Sequence, residues 1–178
     1  NLSIDLNQKF VASTSPNCHE GEENDPNKII DFNLKGTSKE RFIKFLQNAW
    51  NSHGIFYSLV RTEVIKKYKH VSYAGADWSF NFFLLSKGEI NRTKDGLIVF
   101  GRFGLSKNSK NPWKDFRNKS IEIFIPLYEF TKISLVLMKN LKYIEWIQVF
   151  VRLLKVNFQA ARSSYKFTIR QLFNDRIF

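Results

Sequence analysis

Apolar and polar positions alternate through Ile4-Asp5-Leu6-Asn7-Gln8-Lys9-Phe10-Val11, which predicts a short hairpin or strand end. Residues 13–28 are polar and turn-rich and read as a loop. Thr37-Ser38-Lys39-Glu40 then has the spacing of a capping box, and Phe42, Ile43, Phe45, Leu46, Ala49 and Trp50 follow at helical intervals. That pattern predicts a helix ended by Gly54. The apolar run Ile55 to Val60 reads as a buried strand, followed by a short helix Val64 to Tyr68 with Thr62 as N-cap. The turn Tyr73-Ala74-Gly75-Ala76 leads to a helix from Asp77 to Lys87, closed by Gly88 at the C′ position. Leu97 to Phe103 reads as a strand in which Gly101 marks a bulge or a close approach. Gly104 to Trp113 is polar. Beyond Pro112 the pattern is mainly helical, broken at Pro126, with apolar stripes in 132–138 and 143–158. The order helix, strand, helix, helix, strand and then helices is that of a mixed α/β fold with a helical tail.

Composition and charge narrow the function classes. In 178 residues, 43% hydrophobic and 16% aromatic content can bury enough surface to offset ordering entropy, so a disordered polyelectrolyte is excluded. One cysteine, Cys18, excludes an internal disulfide framework and any multi-cysteine zinc site. No positively charged start with an apolar core opens the chain, and with Asn1 in place of Met the expectation is a processed product or a fragment. The most apolar region, Ile121 to Phe158, is cut by eight charges and offers no run of about 20 apolar residues to span a bilayer. The expected location is cytoplasmic, with peripheral contact at the inner face of the membrane as a further expectation. Net charge is +12, but residues 1–35 carry −3, so the remainder carries +15. Such an excess favours an anionic partner: a nucleic acid, an acidic leaflet or a phosphorylated substrate.

Four stretches carry the most information. They are Ile55-Phe-Tyr-Ser-Leu-Val-Arg61-Thr-Glu63, Ala74-Gly-Ala-Asp77-Trp78, Leu84-Leu-Ser-Lys-Gly88-Glu-Ile90 and Val99-Phe-Gly-Arg102-Phe103. In this order they resemble the C-terminal, acceptor-side half of bacterial family 2 glycosyltransferases with a GT-A fold. The family has a strand with an Arg, an acid at a helix start, a helix ending in Gly, and a further strand with an Arg. Ile4-Asp5-Leu6-Asn7 is similar to the strand after the family's metal region. The resemblance covers residues 1–110 and implies a partial GT-A-like, Rossmann-like mixed sheet with flanking helices. Residues 111–178 would form a basic amphipathic helical tail. Two departures stand out: the chain contains no Asp-x-Asp, and position 76 is Ala where the family carries a preceding acid.

The resemblance implies inverting transfer of a sugar from a nucleotide-sugar donor to a saccharide or lipid-linked acceptor in polysaccharide biosynthesis. Asp77 would be the general base that takes the acceptor hydroxyl's proton. An alternative reading of Asp77 is a plain helix cap. Trp78 could form a platform for a sugar face or belong to the core. Arg61 could pair with a phosphate or with Asp77, or form a structural ion pair. Arg102 stands where the family often has a basic residue near the donor diphosphate. Tyr57 and Ser58 could face the cleft. Mn²⁺ or Mg²⁺ would be expected with the donor, held by ligands outside this sequence; Cys18, His19 and Glu20 are adjacent, a poor spacing for one ion.

His53 and His70 are isolated in the sequence and read as surface or capping residues. The competing functional class is a non-enzymatic basic α/β module on nucleic acid or an anionic membrane. Lys166, Arg170 and Arg176, interleaved with Tyr165, Phe167 and Phe173, suit such a partner by charge and stacking. No RNA- or DNA-binding motif accompanies them.

Overall fold

The computed structural model describes residues 9–70, 72–93, 95–101 and 111–174. The expected strand at 4–8, most of the polar segment 104–113 and Arg102 lie outside them. Two chain segments run side by side and parallel. β1 (Phe10–Thr14) pairs with β4 (Glu89–Arg92), and β2 (Asn17–His19) pairs with β5 (Ile98–Phe100). Pro16 separates β1 from β2, and its carbonyl accepts from Ile98 N–H at 2.9 Å where β5 begins. The short β3 (Leu59–Val60) adds antiparallel to β1, giving the order β3-β1-β4 in one sheet and β2-β5 in the other. The architecture is mixed α/β.

Parallel pairing requires a long crossover, and helices supply it. α1 (Ser38–Gln47) starts at the expected capping box: Glu40 N–H donates to Thr37 Oγ1 at 3.3 Å, and Thr37 N–H to Glu40 Oε2 at 2.8 Å. Gly54 does not end this helix, as expected from sequence. It lies buried inside a separate turn, α2 (His53–Phe56), where its carbonyl accepts from Thr14 Oγ1 at 2.9 Å. A Cβ there would run into the side chain of Asn17, so the glycine serves a close approach to the sheet. The expected strand Ile55 to Val60 is thus divided: Ile55 and Phe56 close the helical turn, with Ile55 buried in the core, and only Leu59 and Val60 form a strand, β3.

α3 (Thr62–Ile65) takes Arg61, not Thr62, as its N-cap. α4 (Ala76–Lys87) has Gly75 as N-cap and ends at Gly88, close to the expected bounds. Residues 13–28, expected as loop, contain the end of β1 and all of β2. Gly101 has open space where its Cβ would be, so it marks no close approach.

The core is built around α4. Trp78, Phe80, Phe82, Phe83, Leu84 and Leu85 are all buried, an apolar surface all round that suits a helix enclosed on every side. Phe42 of α1 stacks on Phe82 at 4.1 Å, and Phe130 of α6 (Tyr128–Leu137) meets Phe82 and Trp78 edge-on. A short α5 (Pro112–Asp115) precedes α6, and α7 (Tyr143–Asn174) follows it. Val149, Leu153, Val156 and Ala160 of α7 are buried in the same core cluster. Among the described residues, no helix is long and apolar enough to cross a membrane.

Candidate functional site

β2 and β5 end level with each other, His19 in register with Phe100. The carboxyl ends of parallel strands are where α/β proteins place ligands, because the loops diverge there and leave a crevice. The Phe100 ring is met by three others: Tyr57 at 5.4 Å, His19 at 6.0 Å and His53 at 6.3 Å between centroids. His53 opens α2, and the chain reversal after that helix brings Tyr57 to the same ring. Tyr57 is 63% exposed, so a large aromatic face is open to solvent.

Asp77 approaches His53 from the first turn of α4. Gly75, at φ +85°, provides the left-handed bend that starts the helix, so Asp77 is the second helical residue rather than the cap. Burial raises its carboxyl above the ordinary carboxylate range. The amide N–H groups of Trp78 and of Asp77 itself, and the His53 imidazole, pull it the other way without overcoming burial. Two phenols complete the surroundings. The Tyr68 hydroxyl donates to the Ala76 carbonyl at 3.3 Å, and burial lifts its pKa far above the ordinary value. The buried Tyr73 hydroxyl lies near Tyr68 and Ser79 without a well-aligned partner, and burial raises it too. Asp77 adds to the upward shift of both phenols.

Beside this group is a cleft of about 400 Å³ lined by Phe56, Ser58, Leu59, Val60, Tyr68 and Phe80 among others. His70 also lines it, and Ser58 Oγ is committed to the backbone, donating to the Ile55 carbonyl at 2.6 Å. Asp77 is not among the cleft's lining residues.

No family model, curated protein or solved structure matches the chain.

The sequence-based candidates separate on inspection. Asp77 and Tyr57 converge on the His53–Phe100 group, and Ser58 lines the cleft with its hydroxyl committed to the backbone. Trp78 is 5% exposed and packs edge-on against Trp50 and Phe130, which makes it a core residue in this structure. Arg61 Nε donates to the Phe10 carbonyl at 2.7 Å, and its guanidinium stands 3.9 Å from Glu63, contacts that tie β1 to α3. Arg102 lies outside the described residues.

His53, isolated in sequence, is the electrostatic neighbour of Asp77, and no local motif announces this. Phe100, Tyr68 and Tyr73 were equally silent as site residues. Cys18 is buried, and no group of three or more His, Cys, Asp or Glu side chains among the described residues could hold a metal ion.

Proposed function

We propose that this chain is the acceptor-side portion of an inverting glycosyltransferase similar to the family 2 enzymes. It would move a sugar from a nucleotide-sugar to a saccharide or lipid-linked acceptor on a GT-A-like scaffold. The observation that carries the reading is the Asp77 carboxyl: it sits in the first turn of a buried helix, near His53, whose ring meets Phe100 at the end of β5, with its pKa raised by burial. A carboxylate moved toward neutrality is a better proton acceptor at working pH. As the acceptor oxygen attacks the anomeric carbon, its proton passes to an Asp77 oxygen and the bond to the nucleoside diphosphate breaks. His53 opposite would favour the ionised form before the proton arrives. The exposed Tyr57 ring offers a face for a sugar to pack on.

A divalent ion at the donor diphosphate would stabilise the leaving group. The residues described here do not fit that ion: the sequence has no Asp-x-Asp, and no suitable donor cluster is formed. No step is therefore assigned to it.

The test is a transfer assay with a panel of nucleotide-sugars on the protein and its Asp77→Asn variant, with donor binding measured in parallel. The expected result is donor binding unchanged and turnover down by about 10²-fold or more, the scale of a lost general base. Near-normal turnover in the variant would make Asp77 a residue of structure alone.

A further inference from the structure

α7 has two apolar faces, and the core uses only one. Its 32 residues span about 48 Å at 1.5 Å per residue. Val149, Leu153, Val156, Ala160 and Ser164 form the buried stripe against the rest of the molecule. Roughly 150° round the helix, at 100° per residue, lies a second row. It consists of Ile144, Ile147, Val151, Leu154, Phe158 and Tyr165, repeating at intervals of three and four with half-buried Ala161 filling the gap. This row faces solvent: Ile144 is 70% exposed and Phe158 is 73% exposed. Isolated apolar side chains on a surface need no explanation, but a continuous line of them along one helix does.

Charge lies along one edge of that row. Lys155, Arg162, Lys166 and Arg170 are exposed and follow one another at intervals of seven, four and four. An open groove of about 890 Å³ runs along this side, with Phe158, Ala161, Tyr165 and Ile169 in its lining beside Arg162, Lys166 and Arg170. α7 contains one acid, Glu145, whose carboxylate accepts from Lys142 N–H at the helix start and so is used as a cap.

We propose that this face of α7 lies on an anionic bilayer surface, with the row from Ile144 to Tyr165 entering the acyl boundary and the cations at phosphate level. An amphipathic helix with aromatic and aliphatic residues on one side and Lys/Arg beside them has the chemistry that interface selects. A second copy of the chain is disfavoured, since it would bring +12 against +12 and set Lys155 and Arg162 beside like charges. A nucleic acid would satisfy the cations and leave Ile144, Ile147, Val151 and Leu154 in water. The inference rests on neither Asp77 nor any transfer activity.

The test is sedimentation of the full chain with phosphatidylcholine vesicles and with vesicles containing 30% phosphatidylglycerol, at low and high salt. Binding should require the anionic lipid and weaken with salt. Lys155→Gln with Arg162→Gln should weaken it about thirtyfold, a factor of about five per cation. Leu154→Ser with Phe158→Ser should weaken it by about tenfold or more, since each removes a large buried apolar side chain. Both variants change exposed residues, and unaltered thermal melts would show that the fold is intact.

Three results would overturn the proposal. One is equal binding to neutral vesicles or no binding at all. Another is a dimer in sedimentation velocity that the serine variant dissolves. The third is tight, salt-sensitive binding to an oligonucleotide unaffected by the serine pair, with vesicle binding absent.

Discussion

Asp77 illustrates how one side chain is pulled between folding and chemistry. Its carboxyl ionises less readily in the folded chain than in the unfolded one, because burial outweighs two amide bonds and His53. An acid whose pKa rises on folding stabilises the native state at low pH, and that contribution disappears as pH climbs through the folded value. At neutral pH the ionised group is therefore a net cost to stability. Asp77→Asn, which keeps a similar shape and can still accept from the amides, should melt higher than the natural chain at pH 7. The gap should close as pH falls below about 4, where the free carboxyl is protonated in both states. Thermal melts between pH 3 and pH 8 would check this, and a variant that melts lower at pH 7 would show that the amide bonds dominate. A carboxyl group held at a cost to stability is what the proposed role as a base requires. Arg41 makes the contrast: also buried, it donates to the Leu85 carbonyl at 3.0 Å, to Ser38 Oγ at 3.1 Å and to the Gly36 carbonyl. Its guanidinium ties the last turn of α4 to the start of α1, a structural use of a buried charge.

At the level of elements, the bend that aims Asp77 depends on a single glycine. Gly75 sits at φ +85°, where a side chain is strained, and a Cβ there would stand 2.9 Å from Leu127 Cδ2 at the start of α6. Gly75→Ala should cost about 1–3 kcal/mol in urea unfolding with an unchanged m-value, from left-handed strain together with the clash. If the substitution is neutral, the turn has another way to begin the helix. The sequence showed this element well, since local chemistry decides it: a turn tetrapeptide, an acid in the first turn and a glycine stop. The capping box of α1 was legible for the same reason. Elements made by distant partners were not. β2 is three residues, Asn17-Cys18-His19, with no alternation to read, and it exists because Ile98–Phe100 lies alongside. The run from Ile55 looked like a strand because apolar runs of that length suit strand and helix alike. Contacts from Thr14 and Asn17 to Gly54 hold its start in a helical turn, while pairing with β1 makes Leu59 and Val60 a strand. The candidate site divides the same way. Asp77 and Tyr57 stand out in the sequence through the resemblance to family 2 glycosyltransferases, whereas His53 comes near Asp77 only through the fold.

For the whole molecule, the question is whether the basic helical segment is a tail or part of one cooperative body. Trp50 Nε1 donates to Gln159 Oε1 at 2.9 Å, Trp113 Nε1 to Ser163 Oγ at 3.3 Å, and Asn157 Nδ2 to Thr131 Oγ1 at 2.8 Å. These bonds link α7 to the α1–α2 connection, to α5 and to α6. Beneath them Phe82 of α4, Phe130 of α6 and Leu153 of α7 belong to a single core cluster, each fully buried. A helix attached only by its own packing would leave the sheet indifferent to its loss. A shared core instead predicts one calorimetric transition for the whole chain, with matching van't Hoff and calorimetric enthalpies. Leu153→Ala, on the helix farthest along the sequence from the sheet, should then lower the stability of the whole body by about 3 kcal/mol, from lost burial and the cavity left behind. For a chain of this size that is roughly 6–12 °C in Tm, and it should appear equally in far-ultraviolet dichroism and tryptophan fluorescence. Two separated transitions, or a Leu153→Ala effect confined to helical signal, would mean that α7 folds on a body already complete without it. The bilayer-facing row tolerates the opposite treatment, since polar substitutions there remove nothing from the core. One helix thus carries two independent tests: its inner stripe reports on folding, and its outer row on what the molecule rests against.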